Sequence, residues 1–207
     1  MPVTNPWQEV NQQLWQATPA GAAVVALSCL RQASAVFEAA AVRTPSTAPF
    51  GANSLAEVDL QASIGELLAP VLAAQAEVTQ YAPDPETGEL PNDEEGNRAE
   101  LLGLAAEMVM RLEPVTDDDA VREWADVCST LISDICQHLD MLSYEDVRDA
   151  PDDVPPGPLS AGVLDLQREI LALVTAPDDT TMGQVSQIVE TTHGPLLAAV
   201  RDAIDGG

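Results

Sequence analysis

The sequence predicts an all-α protein, an irregular bundle of about seven helices with no significant sheet. Three observations carry that prediction. Apolar residues make up 46% of the chain but aromatic residues only 3%, so the core must be built from Ala, Leu, Val and Ile. Strands are usually richer in aromatic and β-branched residues. Apolar positions also recur at spacings of three and four, clearest in Val121, Trp124, Cys128, Leu131, Ile135, Leu139 and Leu142. Proline and glycine clusters separate these segments, and no hairpin pattern or internal repeat is evident.

Taken in order, the chain opens on a proline-bounded stretch holding Trp7 and Trp15, followed by an Ala-rich helix over Pro19 to Arg43. TPSTAPFGAN breaks that helix with prolines and a glycine. Ser54 with Glu57 forms a capping-box pattern that opens a helix reaching Tyr81, and Pro70 should kink or split it. An acidic loop over about 82–97 comes next, since APDPETGELPNDEEGN has almost nothing to bury. Asn97 with Glu100 is a second capping pattern, preceding Leu101, Leu104, Ala105, Met108 and Leu112 at helical spacing. Pro114 closes that helix, and Thr116 with the three aspartates after it starts the long helix that ends at Leu142, the acids lying where the helix dipole favours them.

Ser143 with Asp146 reads as the cap of a short helix. Residues 150–158, APDDVPPGP, read as a stiff linker. Two or three further helices are expected, over Leu159 to Val174, Met182 to Thr192 and Pro195 to Ile204. The domain reading is a main bundle over 1–149, the linker, and a C-terminal helical section over 159–207 packed on the bundle. The short connection around 114–116 favours antiparallel packing of the two central helices.

Charge restricts the partners. Thirty-four acidic residues face eight basic ones, for a net charge of -26, and all eight are Arg. Such a chain is repelled by nucleic acid and by anionic membranes. A basic protein or a divalent cation fits better, and homo-oligomerisation stays open. A GC-rich genome or a salt-adapted host would produce the same composition without any functional use of it. Cys29, Cys128 and Cys136 lie in apolar segments without metal-ligand spacing, as expected of free buried thiols. No basic-then-apolar leader is evident and GAAVVALSCL is too short to span a bilayer, so the expected location is cytoplasmic.

The acidic positions nevertheless raise a metal question. At 100° per residue, Asp119, Asp126, Thr130, Ser133 and Gln137 lie opposite the apolar stripe of the long helix, with Glu123 and Asp134 toward one edge. Glu100, Gly103, Glu107 and Arg111 align away from the apolar face of the preceding helix. Should the two polar faces meet, Glu107, Glu123, Asp126 and also Glu100 would converge on a hard cation such as magnesium. Should they face outward, the same acids are a solvated surface.

Residues 100–142 resemble the MazG-type all-α nucleotide pyrophosphohydrolases. That family carries Glu-x-x-Glu on one helix and Glu-x-x-Asp on the next. Glu123, Trp124, Ala125 and Asp126 match the second motif; in LLGLAAEMVMRL, Glu107 takes the first acidic position, and Met110 stands where the other carboxylate falls. The resemblance implies magnesium and a nucleotide substrate.

Other chemistry finds little support. No G-x-S-x-G setting and no phosphate loop is present. His138, between Asp134 and Asp140, reads as a partly buried structural histidine. His193, beside Gly194 and Pro195, reads as a helix-stop imidazole near exposed carbonyls. Trp7, Trp15, Phe37 and Phe50 either anchor the N-terminal quarter on the core or form a partner surface. Residues 84–153 hold 21 acids against four Arg, which admits mimicry of DNA toward a DNA-binding protein. The leading expectation is a non-enzymatic acidic helical interaction or assembly protein; the magnesium hydrolase and the DNA mimic are the alternatives.

Overall fold

The computed structural model describes residues 6–42, 75–84, 86–87, 96–111, 117–142 and 156–205. Among them the chain forms α1 (Pro6–Gln16), α2 (Pro19–Ala39), a 3-10 turn (Thr79–Tyr81), α3 (Asn97–Met110), α4 (Asp118–Leu142), α5 (Pro158–Thr175) and α6 (Thr181–Asp205), with no strand. The protein is an all-α helical bundle. The Ser54/Glu57 cap, Phe50, Pro70, Pro114, Thr116, the Ser143/Asp146 cap, residues 150–155 and most of the acidic loop lie outside the described residues.

α2 is the hub. Every residue from Gly21 to Leu30 and from Gln32 to Phe37 is buried, because α1, α3, α4, α5 and α6 all pack on it. A helix apolar on every side is stable in water only when covered in this way. The run GAAVVALSCL is short, yet the 21-residue helix that carries it is long and apolar enough to cross a membrane by length and composition. In the bundle its apolar window is instead 89% buried against neighbouring helices.

Local chemistry sets the limits of α2. Thr18 accepts a hydrogen bond from Gly21 N at 3.1 Å, and Pro19 supplies the preset φ of a first helical position. A carbon in place of the Gly21 hydrogen would lie 3.0 Å from Val174 Cγ2, so this glycine admits α5 to close contact. The helix ends at Ala39, short of the expected Arg43. Val42 N donates to Phe37 O at 2.9 Å and Ala41 N to Glu38 O at 3.3 Å. That is a Schellman stop, with Ala41 at φ 58 in the position that favours glycine.

α3 and α4 are antiparallel. Trp124 Nε1, near the start of α4, donates to Met108 O near the end of α3 at 3.3 Å. His138, near the end of α4, faces Glu100 near the start of α3. Gly96, at φ 106, precedes α3 without a side-chain cap hydrogen bond, so Asn97 is the first helical residue and the expected Asn97/Glu100 box does not form. α4 begins one residue after Asp117, whose Oδ1 accepts from Asp119 N at 3.1 Å and Ala120 N at 3.0 Å.

α5 and α6 share the core of the other helices, through Val163, Leu166 and Ile170 and through Val185, Val189, Leu196 and Val200. Of the two or three helices expected here the structure has two, because the segments on either side of Pro195 form one helix with Pro195 inside it. Proline removes the hydrogen bond to the carbonyl four residues back. That carbonyl belongs to Thr191, an exposed residue, so water can take the bond, while burial of His193, Leu196 and Val200 holds the helix to its course.

Candidate functional site

The outward stripe of α4 carries Asp119, Glu123, Thr130, Asp134 and Gln137, all exposed, with Asp126 half-buried among them. Ser133, expected on this stripe, is buried and donates to Ser129 O at 2.6 Å. α4 packs against α2, α3 and α5, so its covered arc is wider than its apolar stripe and takes in Ser129 and Ser133. Ser129 Oγ in turn donates to the buried Gln167 of α5 at 2.6 Å.

The four carboxylates singled out by sequence have separate surroundings. Glu107 accepts from Arg111 one turn on at 2.9 Å. Glu100 Oε1 lies 3.3 Å from His138 Nδ1. Glu123 is exposed. Asp126 keeps one oxygen, Oδ1, shielded and without a hydrogen-bond partner, and burial alone pushes its carboxyl above the usual carboxylate range. Glu107 is felt instead by Asp134: burial raises that carboxyl, and the negative charge of Glu107 raises it further. Asp134 is eight residues beyond Asp126, roughly 12 Å along the helix at 1.5 Å per residue. Among the described residues, no group of three or more His, Cys, Asp or Glu side chains is arranged to hold a metal ion.

Two arginines reach across to the first helix and its end. Arg122 of α4 reaches Ala17 O, just past α1, at 3.3 Å, and pairs with Asp119 Oδ1 at 3.0 Å. Arg168 of α5 holds Glu9 of α1 at 3.0 Å. Arg122 is also the only Arg in α4, against six acids in the same helix. Asp118, Glu123 and Asp134 make no ion pair among the described residues.

A second polar cluster, between α2 and α6, was not foreseen. Arg31 clamps both oxygens of Glu190, Nε to Oε1 at 3.0 Å and Nη2 to Oε2 at 3.3 Å. Its Nη1 reaches Glu38 Oε1 at 2.7 Å and Ser34 Oγ at 3.0 Å. His193 completes the cluster, only 5% exposed, with Nε2 at 3.2 Å from Glu38 Oε1. That approach is close but poorly aligned, and neither ring nitrogen makes a proper hydrogen bond. Burial, and then the charge of Arg31, depress its basicity against the opposing pull of Glu38 and Glu190. The expected helix-stop role of His193 is thus replaced by a seam role, because α6 does not stop there.

Of the aromatic residues, Phe37 and Trp124 are core, Trp7 packs half-buried on the core, and Trp15 is 46% exposed. The three thiols are free and buried. Burial pushes Cys29 up to about 12 and raises Cys128 and Cys136 still more clearly above the ordinary thiol range.

The fold and its surface define an acidic all-α bundle. Comparison with protein-family models, curated proteins and solved structures found no match.

Proposed function

We propose that this is a non-enzymatic helical interaction protein whose α4 stripe, with the adjoining edge of α3, binds a protein partner through a basic surface. The observation that supports this reading is the row Asp119, Glu123 and Asp134 on one regular helix, in which Arg122 pairs with Asp119 while Glu123 and Asp134 make no ion pair among the described residues, flanked by Glu107. From Asp119 to Asp134 the row runs roughly 22 Å, at 1.5 Å per residue. Asp134 gives it direction: burial, and then the charge of Glu107, disfavour its carboxylate, and an arriving guanidinium or ammonium group relieves the like-charge part of that penalty. Electrostatic complementarity of this kind speeds encounter and selects against acidic partners.

The test uses an arginine-rich peptide as the probe, with binding followed by calorimetry. The wild type is compared with Asp119→Asn/Glu123→Gln/Asp134→Asn and with a control that neutralises the exposed Asp165, Asp202 and Asp205. Binding should weaken at least tenfold in the first variant and change little in the control. It should also fall steeply as salt rises from about 50 mM to about 500 mM, because exposed charges are screened beyond a Debye length. Equal weakening in both variants would mean that the peptide reads net charge only, and would end the assignment to α4.

A further inference from the structure

We infer that the seam between α2 and α6 is an acid-operated latch, in which protonation of the buried His193 imidazole breaks the clasp around Glu38 and Arg31 and releases the C-terminal part of α6 from α2. The clasp is compact. Glu38 Oε1 alone receives Arg31 Nη1 at 2.7 Å and lies 3.2 Å from His193 Nε2. Arg31 holds Glu190, which precedes His193 by one turn of α6, so the two α6 contributions stand or fall together.

Charging the ring disturbs this arrangement in two ways. A neutral imidazole has one N–H, whereas the imidazolium has two that both need acceptors. One of them, at Nε2, competes with Arg31 for the same Glu38 oxygen. The other, at Nδ1, is shielded from water and has no acceptor, and a buried donor without a partner is costly, more so when charged. Among the described residues, the charged groups facing the ring are Arg31 and Glu38 from α2 and Glu190 from α6 itself; no charged group of α3, α4 or α5 is felt there. Burial and Arg31 oppose the proton, the two glutamates favour it, and burial is the largest of these influences.

The point of release is built into the same turn. Gly194 and Pro195 follow His193 directly, and Pro195 lacks the N–H that would tie it to Thr191. Once the clasp loosens, this is the turn with the least backbone restraint in α6. Gln32, whose Nε2 donates to Val189 O at 2.8 Å, marks where the α2 contact persists on the N-terminal side.

The decisive measurement is hydrogen exchange of the full chain between about pH 7.5 and about pH 5.0, corrected for intrinsic rates, on the wild type and on His193→Gln. In the wild type, amides of residues 193–205 should lose protection relative to α4 as pH falls below the ordinary histidine value of 6.5. The loss should be no steeper than about tenfold per pH unit, the limit for one proton. His193→Gln should show no such selective loss. The latch is overturned if the variant loses the same protection at the same pH, or if the wild type loses it equally in every helix or in none. A direct titration of the wild-type His193 ring by NMR needs no substitution: a midpoint below 6.5, coincident with the loss in α6, supports the latch, and a midpoint at or above 6.5 overturns it.

Discussion

Asp140 of α4 caps α5 from outside that helix: its Oδ2 accepts from Ser160 N at 2.9 Å and Ser160 Oγ at 2.7 Å, while its Oδ1 accepts from Leu159 N at 3.1 Å. The position just before α5 belongs to Gly157, which offers no side chain of its own. A carbon added to Gly157 would lie 2.3 Å from the Asp140 carboxyl carbon, so the glycine makes room for the borrowed cap. Asp140 is only 5% exposed. Asp140→Ala removes the cap and leaves buried donors without a partner, which costs about 2–3 kcal/mol. Urea denaturation followed by circular dichroism checks this, and a loss under about 0.5 kcal/mol would show that water replaces the carboxylate.

Ala41 offers the opposite opportunity. Its φ of 58 places an alanine in the left-handed region at the end of α2, where a Cβ costs roughly 1 kcal/mol and glycine costs none of that strain. Ala41 is exposed, so its methyl group contributes little packing. Ala41→Gly should therefore raise stability by about 0.5–1 kcal/mol and the melting temperature by a few degrees. An unchanged or lower melting temperature would indicate that the extra freedom gained by the unfolded chain outweighs the strain removed.

These two residues show where sequence reading succeeds and where it stops. The spacing of Val121, Trp124, Cys128, Leu131, Ile135 and Leu139 located α4 to within a residue, because its burial follows its period. α1 was missed although Trp7, Val10 and Leu14 step by three and four; only Val10 and Leu14 are buried, in a stretch otherwise rich in Gln. Pro195 suggested a break, but tertiary burial of His193 and Leu196 overrode a local signal. The Asp140 cap, the Arg31–Glu190 clamp and the His193 seam join residues from different helices, the clamp across 159 positions. No local window carries such pairings. The acidic stripe was legible as acids on a helix, whereas the rotation that buries Ser133 and exposes Glu123 depends on how many neighbours α4 has.

The thiols provide a third check. Cys29, Cys128 and Cys136 are all buried, and burial holds each well away from the reactive thiolate form. Ellman's reagent should modify none of them rapidly in the native protein at pH 8 and all three in denaturant. The native rate should follow the global unfolding equilibrium as urea is added. A thiol that reacts promptly without urea would reveal local opening of the α2–α4 interface.

Asp134 yields a pH prediction whose sign differs from that of His193. Burial and Glu107 raise its folded-state value above the ordinary 3.8, so the folded chain holds this proton more tightly than the unfolded one. Its contribution to stability is present at low pH and is lost as pH rises through the folded value. Asp134→Asn should accordingly stabilise the bundle at neutral pH, by about 0.3–0.5 kcal/mol after solvent screening of this exposed position. The gain should fade below the folded-state value, in acid. Depressed His193 acts the other way: its contribution is present above 6.5 and is lost as pH falls. Denaturation profiles of the wild type, Asp134→Asn and His193→Gln between about pH 4 and about pH 8 separate the two effects by direction.

Magnesium tests the remaining arrangement of the acids. A hard cation bound by protein needs several carboxylate oxygens at about 2.0–2.1 Å in near-octahedral array. Glu107 is engaged with Arg111 and neighbours Asp134, Glu100 faces His138, and the raised carboxyl of Asp126 owes its shift to burial with no contribution from a second acid. A calorimetric titration at moderate salt should therefore give weak, diffuse heat that is the same in the wild type and in Glu123→Gln/Asp126→Asn. Saturable binding near one equivalent, abolished in that variant, would require α3 and α4 to rearrange around the ion. It would favour a magnesium-dependent hydrolase over the proposed interaction protein, and release of pyrophosphate from nucleoside triphosphates would then be the activity to measure.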